Sequence, residues 1–147
     1  MPSGSLELDI QIASRLRGIP PAASFKKWIY AALERPATLT LRVVNAAEGR
    51  SLNSAFRGKD YATNVLTFVY HEKRSPRLLG DIVLCAPIVA AEAKVQGKTL
   101  ADHYAHLAIH GVLHLAGHDH ETAREAQRME ALERKLLAGF GIADPYQ

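Results

Sequence analysis

The residues best placed to do chemistry are His110-Gly-Val-Leu-His114-Leu-Ala-Gly117-His118-Asp119-His120, near the end of a long apolar segment. An α-helix turns ~100° per residue, so positions four apart lie ~40° apart on one face and one turn apart in height. The imidazoles of His110 and His114 can therefore converge on one ion. Carried on to position 120, the same helix would rotate a third imidazole away from them. Gly117 breaks that course, because glycine accepts the left-handed conformation that ends many helices, and the chain can then fold back with a further ligand. Three neutral nitrogen donors leave a zinc ion one open position, which is the catalytic arrangement. A structural zinc site is closed by four ligands, usually including cysteine, and the chain has only Cys85. His118 and His120 flank Asp119, and one of the two is expected to reach the ion. Asp119 is a weaker ligand candidate, or an outer acceptor for a ligand N–H. A single histidine on an apolar helix is more often a core residue, but three at this spacing favour a metal.

A second stretch, Ser51-Leu-Asn-Ser-Ala-Phe-Arg57-Gly-Lys59-Asp60-Tyr-Ala-Thr63-Asn64-Val-Leu-Thr67-Phe68, places Arg57 at the end of a polar helix beside Gly58 and Lys59. Its guanidinium can complete a salt bridge or face an anionic ligand, and most lone arginines do the former. Further on, Leu79-Gly-Asp81-Ile offers Asp81, either an acid within reach of the site or a polar residue on a strand edge.

The first motif, H-G-x-L-H-L-x-G-x-D-H, resembles the signature of the YbeY family, the bacterial metal-dependent endoribonucleases of ribosomal RNA maturation, and meets each of its fixed positions. The second stretch resembles the family's L-N-x-x-(F/Y)-R-x-x-D-x-x-T-(D/N)-V-L-S-F block, with Thr67 in place of the usual serine, and the Asp81 segment resembles its G-D-I element. Together they cover most of residues 39 to 120. The resemblance implies that His110, His114 and His120 hold one zinc ion per chain. His118 then stands where the family more usually has an aromatic, an extra, pH-sensitive neighbour of the site. The resemblance also puts Arg57 on an active-site channel, where its planar fork suits a phosphodiester. Lys59, beside it in sequence, is a further candidate nucleic-acid contact. The function implied is a single-strand-specific endoribonuclease acting in 16S rRNA 3′-end maturation and ribosome quality control. Its substrates would be single-stranded and ribosomal RNA, and its partners a ribosomal subunit or assembly factors. Zinc would bring the pKa of a water from ~15.7 to ~7 and polarise a phosphoryl oxygen. Arg57 would stabilise the charge added in the transition state. Two other readings stand beside this one: a non-catalytic ribosome-assembly factor stabilised by its metal, and a metalloprotease-like hydrolase. The second lacks the glutamate base of H-E-x-x-H, because Gly111 occupies that position.

These residues need elements to hold them. Residues 6–12 alternate apolar and polar, the pattern of a strand with one buried face. After the break at 18–21, Ser24 is expected to cap a short helix with Phe25, Trp28, Ile29 and Leu33 in one stripe, ended before Pro36. Residues 38–44 read as a second strand and 45–57 as a helix; 65–70 and 78–85 read as third and fourth strands by β-branched and aromatic content. Between those two strands, residues 71–77 make a polar, net basic loop, expected as a solvated hairpin connection. Pro87 opens a helix to about Gln96, stopped by Gly97. Thr99-Leu-Ala-Asp102 is a capping pattern, with Asp where Glu or Gln is usual, for the helix that carries the histidine pair. That helix is apolar on more than one face, which marks it as central and buried. His106 shares the face of His110 but lies two turns from His114, so it reads as a residue behind the ligands or in the channel wall. A last helix spans 122–139, with Met129, Leu132 and Leu136 in register and Glu130 four residues before Arg134 as a supporting ion pair. The tail from Ile142 is not expected to be structured on its own.

At 147 residues and 48% hydrophobic content, the chain suits one domain, 1–147, with a real core. Its 18 basic against 15 acidic residues, with a pI near 9.1, permit nucleic-acid binding without demanding it. One cysteine excludes an internal disulfide and suits a reducing cytosol. No apolar run is long enough for a membrane span, and the first ten residues lack a basic region followed by an apolar one. The expectation is a cytoplasmic protein with no membrane partner. The element order gives an α+β domain: a small mixed sheet of about four strands packed by about five helices, with the metal-binding helix central.

Overall fold

The alternation along the strands becomes a sheet with two unlike faces. The computed structural model describes residues 5–147; the first four, part of the N-terminus in which no export signal is expected, lie outside the described residues. Strands β1 (Leu6–Ile12), β2 (Ala37–Val44), β3 (Val65–Val69) and β4 (Leu78–Cys85) are accompanied by helices α1 (Ala22–Ala32), α2 (Ala46–Arg57), α3 (Ala86–Gln96), α4 (Leu100–Leu115) and α5 (Ala123–Ala138). The sheet order is β1-β2-β4-β3, with β1, β2 and β4 parallel and β3 antiparallel at the edge. This is the mixed four-stranded α+β arrangement expected.

On β2, Ala37, Leu39, Leu41 and Val43 face one way and are joined by Leu78, Ile82 and Leu84 of β4, so that face of the sheet is continuous with the main core. Helices α1 and α4 complete the core, with Phe25 meeting Trp28 and Tyr104 edge-on at 5.6 and 5.7 Å. The opposite face carries a smaller cluster, Val44, Leu66, Val83 and Cys85, against which Leu52 of α2 packs. Burying one large apolar side chain contributes ~1.5–3 kcal/mol. Helix α4 buries Tyr104, Leu107, Ile109, Val112, Leu113 and Leu115 together, so it is the element the fold can least lose.

Two glycines let α4 settle onto β4. A methyl on Gly111 would stand 3.0 Å from Ile82 Cγ2, and one on Gly80 would stand 2.8 Å from Leu115 Cδ2. That close contact sets the distance between the His110–His114 pair and the sheet.

Local expectations change at the ends of the first and last helices. Ser24 is not a cap: α1 begins at Ala22 behind Pro21, and Ser24 donates its backbone N–H to Pro21 O. Pro21, with φ held by its ring, is the cap instead and starts the helix three residues earlier than a Ser24 cap would. Thr99 caps α4 by accepting from the Asp102 N–H, and Thr122 closes a reciprocal capping box with Glu125 on α5. The C-terminal tail is not loose. Arg134 reaches Glu130 at 3.6 Å, as expected, but pairs more closely with Asp144 at 2.9 Å, and the Tyr146 hydroxyl donates to Glu133. Among the described residues, no helix is long and apolar enough to cross a membrane.

Candidate active site

Helix α4 carries His110 and His114 near its C-terminal end on one face, as their spacing requires. Gly117 takes φ +103°, its N–H returns to His114 O, and the His118 N–H returns to Leu113 O. The chain is thereby turned back over the helix end. After this turn the His120 ring lies 5.9 Å from the His110 ring and 6.4 Å from the His114 ring. His118 goes elsewhere: its Nε2 lies 2.9 Å from Glu34 Oε2, beyond the end of α1. Of the two histidines flanking Asp119, the structure brings His120 to the pair on α4.

The donor set suits a borderline-soft cation. Imidazoles sharing one tetrahedral zinc at ~2.0–2.1 Å per bond have ring centres roughly 5 Å apart, so these rings need only modest rotations to share an ion. Among the described residues, no three His, Cys, Asp or Glu side chains are already drawn into a set that holds an ion as it stands. Burial, followed by the neighbouring imidazole of His110, holds the His114 pKa below the ordinary histidine value, so this ring is neutral at neutral pH. Its buried Nδ1 has no hydrogen-bond partner. A neutral imidazole lacking a polar partner is in the protonation state that a cation needs.

His110, His114 and His120 open onto a cavity of about 500 Å³ that is also lined by Asp119, Glu121, Arg57, Asn64 and Thr67. Strand β3 contributes Thr67 because it is the edge strand beside α4, and α2 delivers Arg57 because Gly58, at φ +68°, ends the helix there. Arg57 makes no ion pair among the described residues. Its neighbour Arg50 takes the nearby acid, Asp60, through two bonds of 2.7 and 2.9 Å. The guanidinium that could have been structural is thus left facing the cavity.

The protein-family model described as endoribonuclease YbeY matches residues 18–141, a span that includes the three histidines and Arg57. An endoribonuclease YbeY of Stenotrophomonas maltophilia strain R551-3 is 55% identical over 99% of this chain and 98% of its own length. The chain belongs to the endoribonuclease YbeY family. A second relative of that name, from Alkalilimnicola ehrlichii, is 53% identical over 97% of this chain and 92% of its own length. In structure, a Thermotoga maritima protein solved in solution superposes with a TM-score of 0.58 at 26% identity, over 89% of this chain and 91% of its own.

Within this family frame, several residues singled out in the sequence find other places. Lys59 is exposed and does not line the cavity; its backbone N–H closes the end of α2 on Asn53 O. Asp81 lies on the opposite face of the sheet, where it accepts from the Tyr70 hydroxyl at 2.8 Å, so it is not within reach of the histidines. Asp119 accepts from the His120 backbone N–H at 2.7 Å rather than from an imidazole. The acceptor behind a histidine is instead Glu133 of α5, whose Oε2 lies 3.0 Å from His110 Nδ1 and whose Oε1 lies 2.7 Å from His106 Nε2. His106 is therefore behind the ligands, one of the two positions its spacing allowed.

Two carboxylates beside α4 were missed in the sequence. Glu133 is fully buried in the stripe that holds Met129 and Leu137, and a charge at a buried helical position is itself a signal that a partner exists. Burial alone would raise its pKa, but the hydrogen bonds of His106, His110 and Tyr146 override it and hold the carboxyl at about 2. Glu92 of α3 likewise meets the buried His103 at 2.9 Å and accepts from Asn64 of the cavity wall at 3.1 Å.

Proposed function

We propose that the chain, 1–147, works as one metallo-endoribonuclease domain that holds a single zinc ion on His110, His114 and His120 and cuts single-stranded RNA. Its family makes it a hydrolase that cleaves RNA internally. The observation that carries the metal reading is the three imidazoles gathered in one cavity, which is also lined by an arginine that makes no ion pair among the described residues. The substrate is ribosomal RNA, at the 3′ end of its 16S species, with a role in ribosome quality control. The setting is the cytoplasm, with a ribosomal subunit or assembly factor as partner.

Zinc bound there supplies Lewis acidity, which polarises a phosphoryl oxygen and makes water a competent nucleophile near neutral pH. The chain's own residues do the rest. Arg57 presents two parallel N–H donors to non-bridging phosphate oxygens, orienting the diester and stabilising the charge that grows on it. Lys59, outside the cavity, meets the neighbouring backbone as a point charge. Asp119 and Glu121, on the same wall as the histidines, are the carboxylates within the cavity that can take up protons. Residue 111 plays no such part, because a Cβ there points at Ile82 and not at the cavity. A protease-type base is thus excluded by direction as well as by residue type.

Zinc content of purified His110→Ala, His114→Ala, His120→Ala and His118→Ala tests the reading. The first three should lose zinc and chelator-sensitive RNA cleavage; His118→Ala should keep both. Zinc retained by His120→Ala and lost by His118→Ala would name the wrong third ligand.

A further inference from the structure

We propose that Glu133 is a positioning residue for the metal centre: its carboxylate, closed off by Tyr146, fixes His110 in the tautomer that offers Nε2 to the cavity. The inference rests on the reading of His110 as a ligand and adds how that ligand is held.

A carboxylate on the buried side of α5 is tolerated only if its oxygens are satisfied. Oε1 accepts from the Tyr146 hydroxyl at 2.5 Å and lies 2.7 Å from His106 Nε2. These two donors meet the needs of one oxygen. Oε2 is directed separately to His110 Nδ1 at 3.0 Å. An ionised carboxylate can only accept, so the hydrogen of the neutral His110 ring must sit on Nδ1, and Nε2 keeps its lone pair. Since His110 also lines the cavity, the remaining nitrogen is the one available to an ion. A carboxylate behind a ligating imidazole fixes ring orientation and raises ligand basicity, and its loss typically lowers metal affinity by ~10–100-fold.

The three histidines are not held alike. His114 has no partner on its buried Nδ1, and His120 sits on an exposed turn. His110 is therefore the ring anchored from behind, and the anchor depends on the C-terminal turn. Asp144 ties that turn to α5 through Arg134 at 2.9 Å, and the Tyr146 ring stands edge-on to His106 at 5.5 Å, covering the carboxylate. The last residues of the chain thus belong to the site although none lines the cavity that holds the histidines.

The test uses full-length protein, with ring tautomers read by ¹H–¹⁵N correlation of histidine-labelled, metal-free samples and zinc affinity read by competition with a chromogenic chelator. Wild type should show His110 protonated on Nδ1 and bare on Nε2. Glu133→Gln keeps size but brings only one oxygen for three donors, so zinc affinity should fall ~10–100-fold and the His110 ring should show mixed tautomers. Tyr146→Phe leaves both oxygens in place, so the tautomer should persist with a smaller loss of affinity. A wild-type His110 protonated on Nε2 overturns the proposal even if Glu133→Gln fails to fold. So does a folded Glu133→Gln with unchanged zinc affinity and tautomer, provided His110→Ala loses zinc. If His110→Ala itself keeps zinc at the wild-type level, the ligand reading fails instead.

Discussion

Gly111→Ala is the perturbation whose outcome the structure constrains most closely. In a helix interior, alanine is favoured over glycine by ~0.8–1.0 kcal/mol. Against this, the new methyl would stand 3.0, 3.2 and 3.3 Å from Cγ2, Cδ1 and Cγ1 of Ile82, where apolar carbons are comfortable at ~3.5–4.0 Å. Ile82 is fully buried in a central strand and its β-branched χ1 is stiff, so it cannot step aside; α4 must lift from β4 by a few tenths of an ångström. Overpacking of this kind costs ~1–3 kcal/mol, so the net effect is a destabilisation of about 1 kcal/mol, or roughly 2–4 °C in Tm. Urea unfolding of the metal-free protein measures it. The companion Ile82→Ala costs ~2–5 kcal/mol by itself but removes all three contacts, and on that background Gly111→Ala should turn stabilising as helix propensity alone remains. Stabilisation of the wild type by Gly111→Ala, or the same penalty with Ile82 truncated, would refute the packing argument. Gly111→Glu follows from the same geometry: it would drive a carboxylate into Ile82 and produce an unfolded protein, not a protease.

Three further outcomes are expected. Arg57→Ala should keep its fold and zinc while losing most RNA cleavage, and Arg57→Lys should rescue poorly because a point charge cannot reproduce the bidentate fork; near-normal cleavage by the alanine variant would assign Arg57 to structure. If water and not the ribose 2′-hydroxyl attacks phosphorus, the primary products have linear ends, and end-group analysis showing a 2′,3′-cyclic phosphate would refute that order of events. Burial, with the nearby Cys85 thiol, raises the Tyr104 pKa from 10.0 to about 12. The folded value lies above the unfolded one, so this stability is present below pH 10 and is lost as pH rises towards 12, by about 3 kcal/mol in all. Tyr104→Phe should flatten that alkaline decline in urea unfolding, and an equally steep decline in the variant counts against it.

What the sequence disclosed is what repeats locally. The period of two in β1 and the four-residue spacing of His110 and His114 are properties of a few consecutive residues, and both are found in the structure, although the alternation holds only from Leu6 to Ile10 and Ile12 is exposed. The turn at Gly117 is legible for the same reason, since positive φ is written in one residue. His118 against His120 is a different matter. Spacing does not say which of the two turns towards the pair on α4; His118 is taken by Glu34, 84 residues away, and His120 is left for the site. The strand face of Asp81 was likewise open until the register of β2, β4 and β3 set it opposite to α4.

The support behind the site was hidden by the same logic. Glu133 meets His110 across 23 residues and Tyr146 across 13, distances at which no helical or strand period relates one residue to another. Read along α5, Glu133 is one more acid in a polar helix; only the packing of α5 on α4 buries it and gives its two oxygens different tasks. The tail looked unstructured because its own composition cannot order it. Its order comes from distant partners: Ile142 packs on the core, Asp144 accepts from Arg134, and Tyr146 gives the carboxylate sealed inside the protein a hydrogen bond that solvent no longer can. The need of a buried charge thus accounts for one of the contacts that order the end of the chain. The same need is what keeps the hydrogen of His110 away from the cavity.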